Sequence, residues 1–466
     1  IGRPRTDPEV REWNAKRRVK HEELSKAVSR ATRSRDVISL TDVFWKRARF
    51  YLSWSCDYRG RMYPQQSLLQ PQSSDFERSM LTFADGCKLD DRGEIWAAQA
   101  VGAAMVGSKV AYQQRTTWTY DNKELIKAIA QNPIGMSSHW EGADEPWQFL
   151  QLAREWYQVV LTREKHLWNV PIGADSTSSG LQLLSAMNRD QTGMKFSNLY
   201  PVEHHDSDPL DGYIEVLRIA SELASKEEKT EHLVEYLTPD YRKIGKNILM
   251  TSLYGAKEWG HWRDLRSFFG EKKLYPNPIS FEDIVSIQDL VLKAGKQVFP
   301  SAYKTLAWFK RLVKAAQDNG SEALTWRTPN NDLIHLIEYK YGKIVIRTSH
   351  CGDCTIATGE KKSIKKKKIA NALAASFIHS YDSCVLKTAF KRWDAPIALI
   401  HDCLKVLPND MDEALDRIKK GFIEVCDGDP LARLADDLGV SSDQVRRLKQ
   451  GSGNLLAVRY SDYMFN

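Results

Sequence analysis

Along this chain the apolar positions change period several times, and each change marks an element. Residues 8–35 are dense in lysine and arginine and read as a basic helix. Residues 42–56 are aromatic and apolar and lead into "CDYRGRMYP". Apolar spacing at 91–107 and 145–168 predicts helices. "HLWNVPIGAD" reads as a strand that ends at Asp175. Helical spacing returns at 180–188, 213–237, 240–257 and 282–318. Residues 332–358 alternate as a β-ribbon does, another helix covers 364–380, and an apolar hairpin, "IALIHDCLKV", occupies 397–406. This mixture predicts an α+β fold, mostly helical, with a small antiparallel sheet.

The hairpin poses a chemical question. Four apolar residues run into His401-Asp402 and the strand pattern resumes at once, so Asp402 falls at the tip. Asp175 likewise ends an apolar strand, just before the small-residue run "STSSG". Two carboxylates at the ends of buried strands can converge across a sheet. Hard oxygen ligands of this kind suit Mg²⁺, which leaves its other positions to water and phosphate. Two such ions ~3.5–4 Å apart would clamp the attacking and leaving oxygens of a phosphoryl displacement. A single turn aspartate carries no such meaning; a third segment gives the pair its context. In "RKIGKNILMTSLYGAKEWG", residues 242–260, Arg242, Lys246, Met250 and Tyr254 recur every four positions and share one helical stripe. Two cations at its leading end suit phosphates. Tyr254, followed by Gly255, suits the face of a base pair.

Composition narrows the class. The chain has 466 residues, 42% of them hydrophobic, and a formal charge of +7, enough for several subdomains around a large core. No apolar run reaches the ~18 residues of a membrane span, and no signal-peptide pattern opens the chain. Seven scattered cysteines, an odd number, suit a reducing compartment better than a disulfide framework. The chain begins with Ile rather than Met, as a fragment or processed product would. Charge is clustered in "AKRRVK" and in "KKSIKKKK" at 361–368, runs that are solvated faces unless something anionic lies beside them.

"ADSTSSGLQLLSAMNRD", the 242–260 segment and "LIHDC" resemble, in order, motifs A, B and C of the single-subunit, bacteriophage-type DNA-directed RNA polymerases. "DYRGRMYP", "ASFIHSYDSCVL" and the terminal Tyr-Met-Phe are similar to further landmarks, so the resemblance covers nearly the whole chain. It implies a right-hand architecture. Residues 1–45 would be a thumb remnant, 46–200 the first part of the palm with an insertion at about 86–165, 201–380 the fingers, and 381–466 the second part of the palm. It implies two Mg²⁺ ions on Asp175, Asp402 and the main chain of Ser176. Lys246 would contact the triphosphate and serve as general acid, with Arg242 beside it and Met250, Tyr254 and Gly255 at the nucleotide. Arg59, Arg61 and Tyr63 would lie near template and hybrid, and His379 would support the nascent pair. The segment at 332–358 matches a promoter-reading hairpin, with Lys340, Lys343, Arg347 and His350 as candidates for reading DNA. Asp144 in "GADEPWQF" is similar to a further family carboxylate. DNA template, RNA product and NTPs are the implied partners, for a monomer without membrane attachment. The implied setting is a phage protein in the host bacterial cytoplasm, with the mitochondrial matrix as the alternative.

Some positions depart from the family pattern. Ser176 stands where Gly is usual, Asn247 replaces a basic residue, Leu183 stands where His often follows Gln, and Asn466 follows the terminal Phe. Little precedes the palm entry where the family has an N-terminal domain, which implies weak initiation on duplex promoters. Related DNA polymerases carry a Glu five residues after the first Asp, against a ribose 2′-OH, and an acid after the second. Here those positions are Gly180 and Cys403, which favours ribonucleotides. A DNA polymerase or primase-like relative and a catalytically silent nucleic-acid-binding fragment remain the alternatives. Two local signals stand apart. "LADDLGVSSDQVRRLKQG", 434–451, has helix-turn-helix spacing but falls where the family packs ordinary palm structure. Cys351 and Cys354 form one CxxC with no second pair to complete a zinc site.

Overall fold

The basic pattern at the start does form a helix, and it runs past the charged stretch: α1 spans Pro8–Phe44. The computed structural model describes residues 8–204, 207–253, 258–271, 280–348 and 352–466. A short hairpin follows, β1 (Trp54–Cys56) and β2 (Met62–Pro64), closed by the Asp57–Gly60 turn. Helices α2 (Asp91–Val106), α3 (Tyr112–Asp121) and α4 (Pro146–Trp156) follow. Then come β3 (Ile172–Asp175), α5 (Ser179–Met187), α6 (Gly212–Ala224) and α7 (Arg242–Leu253). The remainder comprises α8 (Phe281–Val298), α9 (Pro300–Asp318), β4 (Leu324–Arg327), β5 (Leu333–Leu336), β6 (Tyr339–Thr348) and β7 (Gly352–Ile364). The chain closes with α10 (Lys366–Phe390), β8 (Ile397–Ile400), β9 (Cys403–Val406) and α11 (Met411–Cys426). The mostly helical α+β class is as expected.

Several bounds differ from the sequence pattern for physical reasons. The 282–318 stretch is two helices because Pro300 has no N–H to continue the first; it takes the opening position of α9 instead. The alternation over 332–358 is not one ribbon. β5 turns back onto β4, and only β6 and β7 form the long hairpin. The helix expected to stop at 380 continues to Phe390. Its far half is buried on every side, so Ser380, Asp382 and Ser383 give no amphipathic period to follow. The helix-turn-helix spacing at 434–451 yields no second helix: residues 441–450 are turn and coil, with Val440 and Val445 buried.

Helix α10 organises the core. Phe377 packs on Tyr381, Phe309 and Trp326, with ring centroids 4.5, 5.5 and 6.3 Å away. These rings join α9, β4 and α10 into one buried aromatic cluster. Phe377→Ala should therefore cost about 3–5 kcal/mol of stability. Urea denaturation checks this, and a loss below about 1 kcal/mol would show that the cluster is peripheral.

Candidate active site

The site starts from strand register. β9 lies between β3 and β8, with Asp175 opposite Cys403 and Cys403 opposite Ile400. That register leaves His401-Asp402 as a two-residue turn and sets Asp402 beside the end of β3. The Ser176 N–H donates to the Asp402 carbonyl at 3.3 Å. Both carboxylates thus sit at one end of the same small sheet, while Ile172, Ala174, Leu404 and Val406 bury the opposite face. His401 takes φ of 56° to make so tight a turn, a region that residues with a Cβ seldom adopt.

The charges around this sheet end are unequal. Asp175 keeps an open face to solvent, yet desolvation by the protein packed around it, reinforced by the neighbouring Asp402, raises its carboxyl above the ordinary carboxylate range. Lys109 and Lys246 pull it back down. Burial pushes the Lys109 ammonium below its ordinary range, helped by Arg242 and Lys246 and opposed by Asp211 and Asp175. Burial, with Asp175 next, pushes the Cys403 thiol up, so it stays protonated and is not a third anionic ligand. Lys109 and Lys246 thus lie near Asp175, and Arg242 lies near Lys109. Among the described residues no group of three or more His, Cys, Asp or Glu forms a metal cluster. Mg²⁺ needs only one or two carboxylates with water and phosphate, so this donor set fits it.

The flanking residues are held firmly. Arg242 and Lys246 rise from α7, and Met250, on the same stripe, packs partly into the core. Arg242 donates to Asp211 and lies 5.1 Å over the Tyr213 ring. Asp211 also caps α6 by accepting from the Tyr213 and Ile214 N–H groups at 3.0 and 3.2 Å. Gly180 is buried in the first turn of α5, and the Ser176 hydroxyl donates to Gln182. Tyr254, Gly255, His350 and Cys351 lie outside the described residues. Lys340, Lys343 and Arg347 are exposed along β6, on the separate β6–β7 hairpin rather than on the sheet that carries the carboxylates. Asp144 lies in the turn before α4.

The Asp57–Gly60 turn docks on one stripe of α10. Tyr58 bonds Ser376 at 3.1 Å, Arg59 donates to Nδ1 of His379 at 2.7 Å, and Ser383 donates to the Gly60 carbonyl at 2.5 Å. Arg61 grips Asp382 through two of its nitrogens. Burial pushes the Asp382 carboxyl up to about 7, and the permanently charged Arg61 guanidinium beside it works in the opposite direction. Arg61 is therefore committed to a buried partner, whereas the neighbouring Tyr63 stacks edge-on against His401, 5.0 Å away. A cavity of about 810 Å³ lies where α1 and the β1 strand approach the sheet end remote from the carboxylates, lined by Trp45, Tyr51, Trp54, Arg47, Arg78 and Lys405.

Sequence reasoning missed Lys109, Arg115 and Asp211. Gly107, with φ of 85° after α2, is the one local signal for the turn that presents Lys109. The spacing before α6 marks Asp211 only as a cap.

The chain belongs to the DNA-dependent RNA polymerase family: the family model of that description matches residues 88–460. It is 26% identical over 438 residues to the mitochondrial DNA-directed RNA polymerase 1 of Arabidopsis thaliana, covering 90% of this chain and 44% of the relative. Against the DNA-directed RNA polymerase of Pseudomonas phage phiKMV it is 28% identical over 429 residues, covering 88% and 52%. Against the mitochondrial polymerase of Mus musculus it is 24% identical over 385 residues, covering 81% and 32%. The chain spans about half or less of the length of these relatives. Among the described residues, no helix is long and apolar enough to cross a membrane.

The His379 ring carries a pH signature. Burial first, then Arg61 and Arg59, push its imidazole down to about 3. Because Nδ1 accepts from Arg59, the neutral ring carries its proton on Nε2. The unfolded chain binds a proton near pH 6.5 that the folded ring refuses, so this term costs stability as pH falls from 6.5 toward 3. At pH 5 the cost is about 1–2 kcal/mol. His379→Gln should flatten that acid limb, as read from thermal melting at pH 7 and pH 5. Equal pH slopes for the two proteins would contradict the assignment.

Proposed function

We propose that this chain is the catalytic part of a DNA-directed RNA polymerase, which adds NTPs to the 3′ end of RNA paired with a template. The observation that carries this is the convergence of Asp175 and Asp402 at one sheet end, with Lys109 and Lys246 near Asp175 and Arg242 near Lys109. Asp175 and Asp402, with the Ser176 main chain, would hold two Mg²⁺ ions, which when bound supply charge neutralisation at the attacking and leaving oxygens. The three cations suit a triphosphate laid alongside the carboxylates. Lys246, on α7, would hand a proton to the departing pyrophosphate. His379, held neutral beside Arg59, suits the edge of the nascent pair. Arg61, tied to Asp382, holds the turn that brings Arg59 to His379 and acts by positioning. The relatives' names support RNA over DNA synthesis, as do Gly180 and Cys403 where related DNA polymerases carry acids. We read the sheet region as palm, the α6–α9 region as fingers and α1 as thumb, with the cavity beneath Trp45 and Lys405 as part of the nucleic-acid path.

Two experiments test this. Asp175→Asn and Asp402→Asn each remove a charge that a hard cation requires at nearly constant volume. Each should abolish extension of an RNA primer on a DNA template while template binding persists, measured on the same preparation. Substantial extension by either variant would sink the metal assignment. Tyr254→Phe should relax discrimination against dNTPs about ten- to a hundredfold, with NTP use largely kept, as loss of one hydroxyl from a polar network would. An unchanged ratio of NTP to dNTP incorporation would remove Tyr254 from sugar selection.

A further inference from the structure

Lys109 reaches the sheet end from a turn that is tied down in an unusual way. Arg115 is buried at 3% exposure, yet no carboxylate lies within ion-pair distance of it among the described residues. Its donors go instead to carbonyls. Nε and Nη2 donate to the Val110 carbonyl at 3.0 and 2.8 Å, and Nη2 donates to the Ser108 carbonyl at 2.9 Å. These are the two residues that flank Lys109. Burying a guanidinium among neutral acceptors is costly, and burial accordingly lowers its pKa. A buried charge spent on the two peptide groups around one lysine points to a need to hold that lysine still.

The same guanidinium also donates to Oδ1 of Asn466, whose Nδ2 donates to the Ser108 carbonyl. The main chain of Asn466 is meanwhile paired with that of Asp175, in both directions, at 2.8 and 3.0 Å. Tyr112, one turn from Arg115, donates its hydroxyl to the Phe465 carbonyl at 2.8 Å and so reinforces the contact. Asn466 therefore touches the two parts of the site that come from distant segments: the strand that carries Asp175 and the turn that carries Lys109. An asparagine side chain offers one acceptor and one donor together, which is what Arg115 and Ser108 each require. A small apolar residue there would keep the main-chain pairing and lose the tie.

We propose that Asn466 is a positioning residue for nucleotide binding: its main chain is fixed to Asp175, and its side chain, with Arg115, sets the Lys109 turn at a fixed offset from that carboxylate. This rests on the reading of Lys109 as a phosphate contact. The tie acts through Lys109, so its loss should weaken the grip on the NTP and leave the chemical step nearly alone.

The test is single-nucleotide addition on a preformed RNA–DNA scaffold, with KM for the NTP and kcat measured separately. The proteins are the unaltered chain, Asn466→Ala, Lys109→Ala and the double variant. Asn466→Ala should raise KM about three- to tenfold, the worth of one hydrogen-bonded tie, with kcat changed less than about twofold. Scaffold affinity should hold, which shows that the protein is folded. The double variant should be no worse than Lys109→Ala alone, because the two residues act in series. Should Asn466→Ala not fold, Asn466→Ser, which keeps a hydroxyl on a shorter arm, carries the same comparison. If Lys109→Ala raises KM but the folded Asn466 variant does not, the positioning role is overturned and the phosphate reading stands. Fully additive effects in the double variant overturn it too. If Lys109→Ala leaves KM unchanged, the phosphate reading itself fails, and this proposal with it.

Discussion

Two carboxylates held at one end of a three-stranded sheet repel each other, and much of the surrounding structure answers that repulsion. The register of β3 on β9 sets Asp175 opposite Cys403, so Asp402 is brought alongside whether or not a cation is present. The protein packed around the strand end adds to the conflict by partly desolvating Asp175, which still keeps an open face to solvent. Lys109 and Lys246 relieve it only in part. An arrangement of this kind is poor for stability alone, and it gains sense once divalent cations and phosphates share the space.

The second constraint is mechanical. The turn at Asp57–Gly60 is separated from α10 by more than three hundred residues of chain, yet four of its contacts fall on Ser376, His379, Asp382 and Ser383. Those positions share one face of a helix. The face carries polar side chains into the interior, each with a partner, which gives a unique seating that apolar contacts alone would specify less sharply. The Arg61–Asp382 pair anchors that seating, and Arg59 and His379 are oriented as a result. The turn is thus seated on α10 in part by side chains, Arg61 and Asp382, that need not touch a substrate themselves.

What could be read from the sequence follows from how local each signal is. Asp175 and Asp402 were legible because each interrupts an apolar strand. Arg242 and Lys246 were legible because four-residue spacing defines a stripe. The fold class followed from periodicity, and only the bounds moved, at Pro300 and along the all-round buried half of α10. The roles of Lys109, Arg115 and Asn466 were illegible for the opposite reason: they lie in two segments, 109–115 and the last residue, whose relation exists only after folding, and none has a spacing that marks it. The family resemblance alone places Arg61 near template and hybrid; its buried partner, Asp382, sits 321 positions away and leaves no local signal. The β6–β7 hairpin was visible as alternation, but the switch of β5 to β4 was not, since strand pairing is not written in a single strand.

The central claim is that Asp175 and Asp402 jointly hold divalent cations for phosphoryl transfer. Anomalous diffraction from crystals of this chain grown with Mn²⁺, an RNA–DNA scaffold and a non-hydrolysable NTP tests it most directly. Two anomalous peaks about 3.5–4 Å apart, in contact with both carboxylates and with the triphosphate, are predicted. Density for the nucleotide with no metal peak at Asp175 or Asp402 would contradict it.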